Sequence, residues 1–396
     1  MTALPEVRRR RTGLMVAANV LALAALGGMT YAGVTALRNY EGATKVSVES
    51  TKLPVTPTAM LATVDADDTL TTITVLVLSP GTQVGGSIVS VPASSDSTAG
   101  GAEVRVPLTQ IYAEGGVDAL AQAVESVLSV TLDRSSVVAP DELEALLQPV
   151  APIAVELPAD VVGADSDPLF DAGPVNLTAA EAARVFTAVS DTQTDAERRG
   201  NVQALWGGVA SSVGAGRTSP EAASPLADTA TMPEFIERLF AGPVQARGLP
   251  ANPVPVDEVP EGVDVDELDR AEAIFVLASV ASASMSAPSP GLVFRIEAPP
   301  GTEERVKVAV AAVLYLGGNV QSVTLGGETF PETRILVADE SLTEEAESNN
   351  AYFGTTVTRL ADPPIEGIDV ILQLGTEFLD GQGDALPSTT STTEST

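Results

Sequence analysis

The sequence predicts an α/β protein with an N-terminal transmembrane helix, a three-layer α-β-α domain on a mixed sheet, and a small C-terminal α/β domain. Three observations predict it. β-Branched runs alternate with helical periodicities from residue 58 to about residue 240. The same alternation restarts after a Pro/Ser-rich break at residues 286–291. Finally, an uncharged, largely apolar stretch at residues 12–37 stands directly behind Arg8, Arg9, Arg10 and Arg11.

That stretch is 26 residues long, or ~39 Å as a helix at ~1.5 Å per residue. A bilayer core is ~30 Å thick, so the stretch spans it with some tilt. The four arginines place residues 1–11 in the cytoplasm and the rest of the chain outside, as a single-pass protein of the cell membrane. A cleaved signal peptide is the competing reading, with Val34-Thr35-Ala36 as its cleavage site, but the apolar run is long for that purpose. A buried core helix leaves the charge asymmetry unexplained. Residues 38–56 are polar and read as a stalk.

Charge and composition narrow the chemistry. The formal net charge is −32 over 396 residues. Residues 1–40 carry +4, from five arginines against Glu6, so −36 lies on the remainder. Such a surface repels nucleic-acid phosphates, and aromatic content of 4% offers few stacking platforms, with Trp206 the single tryptophan. Nucleic acid is thereby excluded as a partner. The chain has no Cys and no His. Thiol nucleophiles, Ser-His-Asp catalysis and the usual zinc ligands are absent, and a metal would be a hard, oxygen-bound cation such as Mg²⁺.

Along the chain, "TAMLATV", "TLTTITVLVLS" and "GGSIVSV" read as successive strands, the middle one central in a sheet. "EGGVDALAQAVESVLSV" has helical spacing. Strand "RSSVVA", helix "PDELEALLQPV" and strand "PIAVELP" follow. "NLTAAEAARVFTAV" and "TDAERRGNVQALWGGVASSV" then read as helices, the first behind an N-cap. The Pro/Gly-rich segment 242–262 is an extended stretch or a hinge, and "VDELDRAEAIFVLASVASASM" a helix. These elements form one domain over residues 57–288. Residues 291–380 repeat the alternation: strand "LVFRIEAP", helix "TEERVKVAVAAVLYLGG", and strands "NVQSVTLGG", "TRILVAD" and "GIDVILQLG". A helix, "SLTEEAESNNAYFG", lies between the last two strands. Residues 381–396 are low in complexity and expected to be disordered.

This layout resembles the LytR-CpsA-Psr proteins of bacterial envelopes. "TLTTITVLVLSP" sits where that family has Arg-Ser-Asp-Thr before a strand, and "GGSIVSVP" where it has a strand ending in Pro-Arg-Asp. "IYAEGGVDALAQAVESVLSVTLD" is similar to its Ala-Tyr-x-x-Gly-Gly helix. "LTAAEAARVF" and "DAERRGNVQAL" occupy the places of later helices that carry Arg and Arg-Gln-Gln. Beyond residue 291, "GGNVQSV", "ETRILVAD" and "GIDVILQLGTEF" resemble the LytR C-terminal domain. The resemblance implies transfer of glycopolymers from polyprenyl-pyrophosphate carriers to peptidoglycan. That chemistry needs an apolar slot for the prenyl chain, arginines for the pyrophosphate, and carboxylates for Mg²⁺.

The charged tips depart from the pattern. Ala93 and Ser94 stand where the family has Arg-Asp, and Thr69 and Thr71 where it has the Arg and Asp of Arg-Ser-Asp-Thr. Asp65 matches the acidic residue at the end of the first strand, making it the metal candidate and a weak catalytic candidate. Arg198 and Arg199 roughly match the later basic pair, with Gly200 and Asn201 replacing its glutamines. Asp96 and Arg105 complete the ligand-binding candidates. Each has a plainer reading: Asp65, Asp67 and Asp68 as a solvated turn, Arg105 as a strand-edge charge, Arg198 and Arg199 as helix-surface ion pairs, Ser94 and Ser95 as loop residues. The expectation is an anchored envelope protein with a degenerate catalytic domain. It binds a polyprenyl-phosphate lipid, a cell-wall glycopolymer or a wall partner without efficient catalysis and without a cofactor. The alternatives are an active phosphotransferase using Mg²⁺ and a rebuilt site, or a structural or adhesion module with no lipid ligand.

Overall fold

The computed structural model describes residues 50–382, apart from 99–103, 165, 191, 215–229, 256–258, 260–262 and 349. The stub, the span, most of the stalk, and the tail from residue 383 lie outside the described residues. Among the described residues, no helix is long and apolar enough to cross a membrane.

The first half of the chain runs β1 (Thr58–Val64), β2 (Leu70–Leu78), β3 (Gly86–Val91), α1 (Leu108–Leu128), β4 (Arg134–Val138), α2 (Pro140–Leu147), β5 (Ile153–Leu157), β6 (Val161–Val162), β7 (Pro168–Phe170), β8 (Gly173–Leu177), α3 (Ala179–Thr187) and α4 (Asp195–Gly214). It continues with α5 (Met232–Phe240), β9 (Val244–Gly248), β10 (Ala251–Pro253), β11 (Asp266–Leu268), α6 (Arg270–Val280), β12 (Val293–Ala298), α7 (Glu303–Tyr315), β13 (Asn319–Leu325), β14 (Thr333–Val337), α8 (Thr343–Glu347), β15 (Thr356–Leu360) and β16 (Val370–Gln373).

A five-stranded mixed sheet has the order β4-β1-β2-β3-β9. β2 is its centre, antiparallel to β1 and β3, while β4 joins β1 and β9 joins β3 in parallel. All nine residues of β2, LTTITVLVL, are buried. A strand buried on both faces requires a layer on each side. On one face Met60, Ile73, Val75 and Val89 pack with Leu120 and Val124 of α1 and with Phe275 of α6. On the other, Leu61, Leu76 and Ile88 pack with Leu143 of α2, Phe186 of α3, Leu205 and Trp206 of α4, and Phe235 of α5. The apolar cluster on the α1/α6 side is continuous with β12, α7 and β16. β12 and β16 belong to a second mixed sheet of order β13-β12-β16-β14-β15.

The helix starts follow their caps. Thr178 and Glu181 form a reciprocal capping box at α3, as do Thr231 and Glu234 at α5. Asp269 caps α6 by accepting from the Glu272 N–H at 3.0 Å.

Several elements differ from the sequence reading: β6, β7 and β8 are unforeseen, and the helix expected over 265–285 starts only at Arg270, with residues 266–268 forming β11. The helix expected from Glu114 begins at Leu108, and Gly116 (φ 68°) breaks it internally, so the Gly-Gly pair marks a kink rather than a start. Segment 242–262 contributes β9 to the main sheet, because residues 244–248 contain no proline. The helix expected over residues 341–354 shrinks to Thr343–Glu347 between two 3₁₀ turns, and the unforeseen strand β15 follows it.

Two predictions follow from this packing. Leu76 is completely buried at the middle of β2. Leu76→Ala is expected to cost about 2–5 kcal/mol, read as a lower urea midpoint at unchanged slope. The carboxyls of Glu181 and Glu234 are held below their ordinary 4.5 by the backbone N–H of Thr178 and of Thr231, then by the hydroxyls of the same residues. A lowered folded value contributes stability above 4.5 that is lost as pH falls through the folded value. The melting temperature is therefore expected to drop on acidification from about pH 5 to about pH 3, and less steeply in Glu181→Gln.

Candidate site at the carboxyl ends of the strands

β1, β3, β4 and β9 run in the same direction, so their carboxyl ends share one edge of the sheet. Ligand crevices of α/β sheets lie at such edges. Here the edge is closed by a buried polar cluster. After β3, the loop Pro92–Ser97 turns inward and places Ser94, Ser95 and Asp96 at 3%, 0% and 4% exposure. β11 lies against it: the Asp266 N–H donates to the Ser94 carbonyl at 2.9 Å, and the Asp96 N–H donates to the Asp266 carbonyl at 2.8 Å.

Side chains from α4 and from the segment before α1 converge on this bridge. The Ser94 hydroxyl oxygen lies 2.5 Å from Asp266 Oδ2 and 2.9 Å from Asp195 Oδ2. Asp195, at the start of α4, is paired with Arg198 one turn later at 2.8 Å. Arg198 also donates to the Thr71 carbonyl on β2 at 3.0 Å and to the Ala188 carbonyl beyond α3 at 2.8 Å. Arg199 pairs with Asp266 at 3.2 Å and donates to the Ala251 carbonyl of β10 at 3.4 Å. Arg105 pairs with Asp96 at 2.6 Å. The Asp96 carboxylate further accepts from the N–H and hydroxyl of Thr98.

Four of the five sequence candidates thus meet at one edge, through the loop and strap they bind: Asp96, Arg105, Arg198 and Arg199. Asp65 does not join them through any hydrogen bond that the structure shows. Its carboxylate accepts the N–H groups of Asp67 and Thr69, each at 2.9 Å, and closes the β1–β2 turn. Beside that turn Tyr112 of α1 donates to Asp68 at 2.9 Å. Burial, and then the Asp68 hydrogen bond and charge, push the tyrosine hydroxyl above its ordinary 10.0. Thr71 shares a 2.7 Å hydroxyl contact with Thr63.

Sequence reasoning missed Asp195 and Asp266. Asp195 was legible, because its i,i+3 spacing to Arg198 is a helical ion-pair pattern. Asp266 carried no local signal; it reaches the cluster from 172 positions away from Ser94.

Chemically, the edge is self-neutralised. Arg105, Arg198 and Arg199 each face a carboxylate, giving three positive and three negative groups. Binding a pyrophosphate would require unpaired positive charge here. Mg²⁺ does not fit either: Asp96, Asp195 and Asp266 are committed to guanidinium groups, and among the described residues no group of three acidic side chains is placed to hold a metal.

No protein-family model and no curated protein matches the chain. Solved structures do. The chain is similar to TagT bound to LIIa-WTA, at 16% identity and a TM-score of 0.41, over 56% of this chain and 88% of that one. It is similar to TagV of B. subtilis, at 14% and 0.40, over 56% and 94%. A third is the LytR-CPS2A-psr family protein YwtF (TagT) with bound octaprenyl pyrophosphate lipid, at 17% and 0.37, over 55% and 86%.

Arg198 has three acceptors spread over β2, α4 and the turn after α3. Arg198→Ala leaves the partly buried Asp195 without its cation and two main-chain carbonyls without their donor, and is expected to cost about 1–3 kcal/mol of unfolding free energy. Arg198→Lys is expected to recover only part of that, because one ammonium cannot reproduce the fork.

Proposed function

We propose that this is a membrane-anchored, extracytoplasmic cell-envelope protein with a LytR-CpsA-Psr-like domain that has given up efficient phosphotransfer. In this reading it binds a polyprenyl-linked glycopolymer or a cell-wall partner. The observation that carries it is the pairing of Arg105 with Asp96, of Arg198 with Asp195 and of Arg199 with Asp266. Charge-assisted contacts to phosphate use the same guanidinium donors, so a carboxylate already in place competes with the ligand. The missing Arg-Asp pairs at Ala93–Ser94 and at Thr69 and Thr71 support the same conclusion from the sequence. Anchoring rests on residues 8–37, with the N-terminus cytoplasmic and the −36 remainder outside.

The test uses the full-length protein in detergent with a polyprenyl pyrophosphate and the matching monophosphate, each with and without Mg²⁺. Binding of both lipids with no metal dependence and no phosphate release is the expected result. Mg²⁺-dependent preference for the pyrophosphate, accompanied by turnover, would overturn the reading in favour of an active phosphotransferase.

A further inference from the structure

The strap β10–β11 buries Val254 and Val265 and packs Leu268 on the apolar core, and its polar contacts to the loop after β3 pass through Asp266. Its backbone makes the two hydrogen bonds to Ser94 and Asp96. Its carboxylate contacts Ser94 and Arg199. Arg199 holds the other strand too, through the Ala251 carbonyl. The two strands have three residues each and pair only with one another as a sheet.

Two features show that this closure is imperfectly matched. A hydroxyl carries one proton, yet Ser94 faces carboxylate oxygens of both Asp195 and Asp266. One of these contacts therefore has no donor and brings two negative groups together. In addition, the Ser95 hydroxyl is fully buried beside the same bridge and has no hydrogen-bond partner. A buried hydroxyl without a partner is a cost that native structures seldom leave standing.

We propose that Asp266 is a built-in plug: its carboxylate sits in an anion position formed by Arg199 and Ser94, and withdrawal of the strap exposes a site for a phosphate-type oxyanion. Withdrawal would release the Arg199 guanidinium from Asp266, the Ser94 hydroxyl, and the Asp96 N–H that now donates to the Asp266 carbonyl. The guanidinium and the hydroxyl converge on one oxygen, Asp266 Oδ2, as donors to an oxyanion do, while the Asp96 N–H bonds the main-chain carbonyl of the same residue. The inference rests on the reading of a self-neutralised site and names the element that neutralises and closes it. The geometry fits free pyrophosphate and a lipid pyrophosphate headgroup equally, so the experiment separates them.

Inorganic pyrophosphate is titrated calorimetrically into the full-length protein, into Asp266→Ala, and into Asp266→Ala/Arg199→Ala, with folding of each checked by thermal melting. Asp266→Ala is expected to bind at least about tenfold more tightly than the wild type, and the double variant to lose the gain. A folded Asp266→Ala with no gain overturns the proposal. If that variant does not fold, hydrogen exchange on the wild type decides. Pyrophosphate is expected to accelerate exchange at the Asp96 and Asp266 amides and leave the β2 amides unchanged. Unchanged exchange at those two amides under millimolar pyrophosphate overturns it. A polyprenyl pyrophosphate arm distinguishes headgroup from free anion, as only a headgroup site gains affinity from the lipid tail. Turnover of that lipid by Asp266→Ala would end the non-catalytic reading while leaving the plug intact; binding without turnover keeps both.

Discussion

A strand with apolar or hydroxyl side chains on both faces has no solvent side, and β2 is such a strand over all nine of its residues. Its position in the middle of the sheet follows, as does the need for cover above and below. The cover is made by α1 and α6 on one face, and by α2, α3, α4 and α5 on the other. The same demand links the two halves of the chain. α6 is buried from Ala273 to Ala278 and touches the sheet on one side and the α7/β12 layer on the other, so its apolar surface is shared between both. Burial of this kind contributes about 25 cal/mol per Å² of apolar surface, and it fixes where every loop at the strand ends must emerge.

Those ends carry the opposite problem. Where strands stop, carbonyl and N–H groups lose their ladder partners and still lie within the buried layer. On this edge the partners are side chains. Arg198 satisfies the Thr71 and Ala188 carbonyls, and Arg199 reaches the Ala251 carbonyl. Guanidinium groups brought in for that purpose need counter-charges when so little exposed, and Asp195 and Asp266 supply them. Fold and site are therefore one construction: the sheet defines the edge, the edge calls in the arginines, and the arginines call in the carboxylates.

What could be read from the sequence follows the same division. The β-branched run of β2 and the long helical run of α4 are local patterns and appear where expected, whereas the helix read from Asn176 starts at Ala179 behind Thr178, because Asn176 and Leu177 belong to β8. β15 escaped because TVTRL is short and none of its side chains is fully buried, leaving no buried face to set a period. The start of α1 escaped because Gly116 resembles a boundary while acting as an internal break. At the site, Arg198 and Arg199 were visible as a pair in the chain, but their partners were not visible together. The Ser94–Asp266 contact spans 172 positions and depends on a strap only three residues wide. Such a contact exists only once the sheet has brought β3 and β11 side by side.

Two adjacent arginines at the head of a helix invite a functional explanation for their presence. The geometry supplies a structural one that is sufficient by itself. Arg198 has three acceptors, two of them main-chain carbonyls, and Arg199 has a carboxylate and a main-chain carbonyl. Those duties need no ligand, since removing either arginine leaves a little-exposed carboxylate uncompensated. The presence of Arg198 and Arg199 therefore says little about catalysis. The informative residues are the carboxylates facing them. An arginine held only by backbone carbonyls keeps its full charge for an incoming anion, whereas one held by an aspartate does not. With 52 acidic against 16 basic residues beyond residue 40, the surrounding field also opposes anions. Any phosphate that reaches this edge must displace a carboxylate to stay there, which places control of the site in the strap that carries Asp266 rather than in the arginines themselves.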